Sequence, residues 1–212
     1  MTPWLWLVAS YLLGSIPSSY LAGRWTRGID LREHGSGNLG ATNTFRVLGA
    51  RAAVPVMLFD VFKGFAPVWF FSLWDGSTEW TWALAYGAAA IVGHIFSIYM
   101  RFRGGKGVAT AAGVFLALAP TAVGVAALVW AGAVALFRMV SLASLAAAVT
   151  LILMLLAVER RTPVLVLGVA VGAFVIFAHR ANIGRILRGE EHRFGGARDP
   201  EGAAAAGEGR AP

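Results

Sequence analysis

The chain has 212 residues, 58% of them hydrophobic and 14% charged, with a formal net charge of +7 and no cysteine. A soluble domain carries about 25% charge, so this composition excludes an ordinary soluble globule. The missing cysteines exclude disulfides, thiolate metal sites and a cysteine nucleophile.

A bilayer core about 30 Å thick takes roughly 20 apolar residues per helix. Residues 2–22, 80–100 and 139–158 reach that length without a charge. The first run is too long for the apolar region of a signal peptide and predicts a span over 3–23, with Pro17 near its end. A polar loop, 24–51, follows. The second span, 52–74, carries Asp60 and Lys63 at i, i+3 spacing. Unpaired charge at that depth is expensive and marks function; paired, the two neutralise each other and lock the span to its neighbours, and this is the reading we favour. An acidic turn with Asp75 and Glu79 leads to the third span, 80–100, in which His94 reads as a packed, hydrogen-bonded histidine. After the basic loop 101–106 comes an uncharged run of 31 residues, 107–137. As one helix it would reach roughly 46 Å, more than one bilayer, and Pro120 breaks it near its middle. Spans 139–158 and 162–178 flank a turn with Glu159, Arg160 and Arg161.

Whether 107–137 crosses once or twice decides the topology. Loop 24–51 holds Arg24, Arg27, Arg32, Arg46 and Arg51, and loop 101–106 holds Arg101, Arg103 and Lys106, so both belong inside by the positive-inside rule. The segment after 178 carries Arg180, Arg185, Arg188, Arg193 and Arg198; two crossings put it inside as well, leaving only Arg160 and Arg161 misplaced. The expected fold is all-α: a polytopic integral membrane protein of seven transmembrane helices, N-terminus outside and C-terminus cytoplasmic. Helix 107–119 is short for a span and must be tilted, partly buried in protein or matched to a thinned site. Residues 1–194 form a single membrane domain. Residues 195–212, rich in Ala, Gly and charge, read as a disordered cytoplasmic tail.

Three polar loops share the inner face. In the first, Gly35, Gly37 and Gly40 fit the dinucleotide pattern G-x-G-x-x-G, and Asp60 falls 20 residues later. That fingerprint needs a buried strand and a βαβ unit, which membrane spans do not offer. The loop's physics survives: backbone N–H groups freed by glycine, donors from Ser36, Thr42 and Asn43, and the guanidinium of Arg46 suit an anion. A flexible surface loop is the plainer reading. In the second, Gly104, Gly105 and Lys106 precede a helix, whose N-terminus attracts anions; the alternative is a tight turn with a positive-inside lysine. The third holds His179, Asn182 and Ile183 on one helical face, where a plain interfacial histidine is equally in view. Ser141 and Ser144 begin a span near the same face; small hydroxyls there serve helix packing or touch a ligand.

No G-x-S-x-G elbow is present. No histidine has an Asp five residues on, and no aspartate cluster suits two magnesium ions. Cationic and neutral donors dominate, which fits substrates that bring their own phosphate charge. A transporter would place its ligand near the midplane between internal repeats, and neither feature is evident.

GSIP at 14–17, GSGNLGATN at 35–43 with Arg46, GGKGVAT at 104–110, VSLAS at 140–144 and HRANI at 179–183 together resemble the bacterial acyl-phosphate-dependent glycerol-3-phosphate acyltransferase family, in order over about residues 1–193. The resemblance implies a multi-pass enzyme of the bacterial inner membrane with its active site on the cytoplasmic side. It implies transfer of a fatty acyl group from acyl phosphate to the 1-hydroxyl of glycerol 3-phosphate, giving lysophosphatidic acid and inorganic phosphate, the first step of phospholipid synthesis. No cofactor, metal or acyl-CoA is implied. The implied partners are the two substrates, membrane lipids and the enzyme that makes acyl phosphate, with no nucleic acid and a monomer or weak oligomer. By position, Ser36, Arg46, Lys106, His179 and Asn182 match the family's essential polar residues. Gly37, Asn38, Thr42, Asn43, Gly104 and Gly105 match its phosphate-holding elements, and Ser144 a substrate-contacting serine, with Ser141 as the alternative. One departure is Ser97, where the family usually has proline.

Overall fold

The computed structural model describes residues 2–193, so the tail expected at 195–212 lies outside the described residues. Among those residues every regular element is helical. α1 (Pro3–Ser15) and α2 (Ser18–Arg27) meet at a 41° bend. α3 (Ala41–Leu48) is followed by α4 (Ala50–Ala66), which runs through a π turn (Pro67–Phe71) into α5 (Ser72–Trp74). α6 (Thr81–Ile95) precedes a 3-10 turn (Ile98–Met100), and α7 (Val108–Leu118), α8 (Pro120–Phe137) and α9 (Val140–Val158) follow. α10 (Thr162–Ala178) and α11 (Arg180–Leu187) meet at 53°. Four helical stretches are long and apolar enough to cross a bilayer, or up to six if each bent pair is one span; α7 is a shorter apolar helix.

The α1–α2 break follows from Pro17, which has no N–H to donate and whose ring crowds the preceding turn. Carbonyls freed in an apolar setting need other donors. Ser97 Oγ donates to the Ser15 carbonyl at 2.5 Å, and Lys63 Nζ to the Ile16 carbonyl at 2.8 Å. A proline at 97 would have no hydroxyl to give, so the departure at Ser97 has a structural use. Lys63 also pairs with Asp60 at 2.7 Å, and Asp60 accepts from Ser18 Oγ at 2.7 Å. The buried pair therefore ties α4 to the α1–α2 junction, as its spacing suggested. His94 is packed nearby, but its Nδ1 stands 3.7 Å from Asp60, beyond a hydrogen bond.

α7 is anchored by protein along its length. A Cβ on Gly64 of α4 would strike the Thr110 carbonyl, and one on Gly113 of α7 would strike the Val61 carbonyl. The two helices thus touch backbone to backbone, the packing that small residues permit. Val114, Phe115 and Leu118 of α7 join Leu151 and Leu155 of α9 and Val164, Val171 and Val175 of α10 in the main core. At the C-terminus of α7, Arg161 donates to the Leu118 carbonyl at 2.5 Å, pairs with Glu159 at 2.8 Å and lies over the Trp80 ring. Arg161, one of the two arginines that break the expected positive-inside pattern, is thus neutralised by a neighbour and used as a helix cap. The hydrogen bond from Arg161, outweighing burial, holds the Glu159 carboxyl down at about 2.

Candidate active site

The three polar loops converge. Leu31 and Leu39 of the first pack with Met100 beside the second, Leu39 also abuts Gly105, and Lys106 reaches Asn182 in the third.

In the first loop Asn43 is the internal brace. Its Nδ2 donates to the carbonyls of Leu31 and His34 at 3.0 Å, and its Oδ1 accepts the Ser36 N–H at 2.8 Å. The sequence suggested a phosphate ligand; with its amide saturated and 1% exposed, Asn43 instead shapes the loop that carries Ser36. Ser36 and Thr42 are exposed, Asn38 and Gly37 half-buried, and Gly37 turns the chain at φ +68°. Ser19 and Thr44 share a hydrogen bond at 2.7 Å that docks α3 on α2.

The second loop corrects another expectation. The Gly104 N–H donates to the Ile95 carbonyl at 2.9 Å and the Gly105 N–H to the His94 carbonyl at 3.2 Å. These amides close the end of α6 and are not spare for a phosphate. Glycine is needed for clearance: a Cβ at 104 would strike the His94 and Ile95 carbonyls, and one at 105 the His94 ring and the Leu39 carbonyl. The unclaimed amides are those of the first turn of α7, which helix geometry leaves without partners. Gly107, at φ +79°, opens that turn and sets Lys106 before it.

Lys106 Nζ donates to Asn182 Oδ1. Burial lowers the Lys106 ammonium to about 8, with the charges of Arg185 and Arg46 pushing the same way and Glu191 opposing. His179 lies at the α10–α11 junction, 4% exposed, with Nδ1 2.8 Å from the Val175 carbonyl. Burial and then the Lys106 charge hold it below its ordinary value, so the ring is neutral at pH 7. A carbonyl only accepts, so Nδ1 carries the hydrogen and Nε2 keeps the lone pair.

Asn182 Nδ2 donates to Glu191 Oε1 at 2.7 Å, and Arg185 Nε to Glu191 Oε2 at 2.7 Å. Burial raises Glu191, but these hydrogen bonds outweigh it and hold its carboxyl below the usual value. Sequence reasoning missed Glu191; its one signal was an acid pair directly after the basic run of α11. Ser141 lies buried by Glu191 without a well-formed hydrogen bond, while Ser144 accepts the Trp130 indole N–H at 3.4 Å. The structure thus brings Lys106, His179, Asn182 and Ser141 together, with Arg46 near enough for its charge to act on Lys106. Ser36 and Thr42 make no side-chain hydrogen bond to that group.

Residues 4–189 match a family model described as Glycerol-3-phosphate acyltransferase. A glycerol-3-phosphate acyltransferase of Synechococcus elongatus is 46% identical over 197 residues, covering 88% of this chain and 91% of the relative. One from Staphylococcus haemolyticus is 42% identical over 195 residues, covering 89% and 96%. The crystal structure of PlsY (YgiH), an integral membrane glycerol 3-phosphate acyltransferase in its glycerol 3-phosphate form, superposes with a TM-score of 0.84 at 40% identity, covering 91% of this chain and 96% of that one. The lysophosphatidic acid form gives 0.81 at 39% identity, covering 91% and 95%.

Proposed function

The chain belongs to the glycerol-3-phosphate acyltransferase family, and on that premise we propose that it moves a fatty acyl group from acyl phosphate to the 1-hydroxyl of glycerol 3-phosphate. The products are lysophosphatidic acid and inorganic phosphate. The observation that carries this reading is Lys106: a half-buried ammonium at the N-terminus of α7, held by Asn182 and flanked by Arg46, Arg185 and His179. That is a cluster of mainly cationic groups suited to phosphate charge.

Acyl phosphate is a mixed anhydride and arrives activated. The glycerol oxygen attacks the carbonyl carbon, the bond to the phosphate oxygen breaks, and the phosphate leaves with the electron pair. The hydroxyl proton passes to a substrate phosphate oxygen. His179 is the alternative acceptor, through Nε2. Lys106 and Arg46 offset the repulsion between two anionic substrates, and the first-turn amides of α7 stabilise charge growing on the leaving phosphate. Ser36 on its braced loop and Ser141 beside Glu191 position the acceptor. Asn43, Gly104 and Gly105 act by holding the loops in shape.

The loops face the cytoplasm of a bacterial inner membrane in this reading, where the polar acceptor is found, while the acyl chain comes from the bilayer. The clusters of arginine on the three loops support that side. The anchoring of α7 between the Lys106 loop and the Arg161 turn supports counting it as a crossing, which makes seven.

The test is direct. Purified protein in detergent, given palmitoyl phosphate and glycerol 3-phosphate with chelator, should release phosphate and form lysophosphatidate. Lys106→Ala should lose more than ~100-fold, the scale of one lost electrostatic stabiliser. No product from the folded wild-type protein, or wild-type rates in Lys106→Ala, would overturn the reading.

A further inference from the structure

Glu191 lies outside every motif that the sequence offers, yet it is the acid built into the Lys106 pocket. The chain turns back at Gly189, φ +73°, and the Glu190 N–H closes onto the Arg185 carbonyl at 2.8 Å. This folds the segment after α11 beneath that helix and buries the Glu191 side chain to 4% exposure.

An ionised carboxylate offers only acceptors, and an ammonium only donors. The side-chain amide of Asn182 stands between one of each. Its NH2 end must face Glu191, so its oxygen must face Lys106, as observed. The charged and titratable groups around Lys106 are Arg46 on α3, Arg185 on α11, His179 at the α10–α11 junction and Glu191. Glu191 is the negative one among them.

We propose that Glu191 is a positioning residue for acyl transfer: it fixes which end of Asn182 faces Lys106, and so aims the Lys106 ammonium at the substrate phosphate. This rests on the reading of Lys106 as the phosphate clamp. Without the Glu191 charge, burial, Arg46 and Arg185 act on Lys106 unopposed. The Asn182 amide can then turn its NH2 toward the ammonium, where it accepts nothing. A merely structural Glu191, closing the terminal segment through Arg185, would change stability and leave the pH profile alone.

The experiment compares Glu191→Gln with wild type in detergent, measuring kcat/KM for glycerol 3-phosphate against pH. Glutamine keeps the size and removes the charge. The expected result is a fall of about tenfold or more, with the alkaline limb moved down by about one pH unit, the scale of one lost opposite charge. The double variant Asn182→Asp with Glu191→Gln reverses the polarity of the pair. Position 182 then always presents an acceptor to Lys106 and position 191 a donor, so part of the activity and the position of the limb should return. An unmoved limb in Glu191→Gln, whether the rate holds or falls with thermal stability, overturns the proposal. If Glu191→Gln does not purify as a single species, Glu191→Asp decides: its retained charge should leave the limb at the wild-type pH, and a shifted limb overturns the proposal. Lys106→Ala separates the two failures. Wild-type rates there overturn the clamp itself; an inactive Lys106→Ala beside an unaltered Glu191→Gln overturns only the role of Glu191.

Discussion

Arg161 donates a guanidinium N–H to the carbonyl of Leu118 at 2.5 Å, so one of the two charges that fit the expected membrane orientation least caps the short apolar helix α7. The last four carbonyls of a helix lack intrahelical partners, and Leu118 is the last residue of α7. Arg161→Ala removes the cap and frees Glu159. The Arg161 side chain is 45% exposed, so the solvent-screened pair is worth little, and a loss near 1 kcal/mol, about 2–4 °C in Tm for a chain of this size, is expected. Thermal unfolding in detergent measures it, and Arg161→Lys should recover part. An unchanged Tm would remove the cap from the account of α7.

The Asp60–Lys63 pair gives a sharper stability test. Removing one partner of a buried ion pair leaves an uncompensated charge and costs about 3–5 kcal/mol. Lys63→Met also removes one of the two donors to the Ile16 carbonyl at the α1–α2 break, leaving it only the Ser18 N–H at 3.0 Å. The single changes Asp60→Asn and Lys63→Met should each lower Tm strongly, and the double variant should be more stable than Lys63→Met alone. A double variant whose loss equals the sum of the singles would show that the two charges do not act as a pair.

These two cases mark where sequence reading reaches. Pro17 and Pro120 announce their breaks because a proline's missing N–H is a local property, and the Asp60–Lys63 pairing follows from helical spacing. What satisfies a broken helix is not local: Lys63 and Ile16 are 47 positions apart, and Ser97 and Ser15 are 82 apart. The site shows the same division. Sequence displays donors and acceptors but not which are already in use. Asn43, Gly104 and Gly105 therefore read as phosphate ligands, although the fold spends their hydrogen bonds on its own carbonyls and amides. Glu191 stayed hidden because a turn at Gly189 brings it back to Asn182.

Lys106 sets a pH expectation. In the proposed reaction its charged form is the one that clamps phosphate, and burial lowers it to about 8. Activity should then be full near pH 7 and fall as pH rises through about 8. The quantity to follow is kcat/KM, which reports the free enzyme. In Lys106→Arg the group stays charged throughout, so the limb should leave that window whatever the residual rate. A limb near pH 8 that persists in Lys106→Arg would assign the titration to another group.

His179 is held neutral, with Nδ1–H directed at the Val175 carbonyl. If a substrate phosphate takes the proton, His179→Gln keeps a donor for that carbonyl and should lose less than ~100-fold, below the usual 10²–10⁴ of a general base. Its acid limb should flatten, because a group titrating below 6.5 is gone. Turnover too low to measure, in folded protein that still binds glycerol 3-phosphate, would make the histidine the base.

Gly105 offers a test of loop placement that leaves every charge intact. A Cβ there would press on the His94 ring and the Leu39 carbonyl. Leu39 belongs to the first loop and Gly105 sits beside Lys106, so Gly105→Ala should wedge the two loops apart at the proposed phosphate site. A misplacement near 1 Å costs roughly 10²-fold in rate, whereas one methyl at a loop edge should move Tm by only a few degrees. The expected outcome is an enzyme that folds and purifies normally yet loses between ten- and a hundredfold in kcat/KM, roughly. If Gly105→Ala turns over at the wild-type rate, the spacing of the two loops does not matter to the chemistry. The close fit of Gly105 against His94 then serves only to end α6.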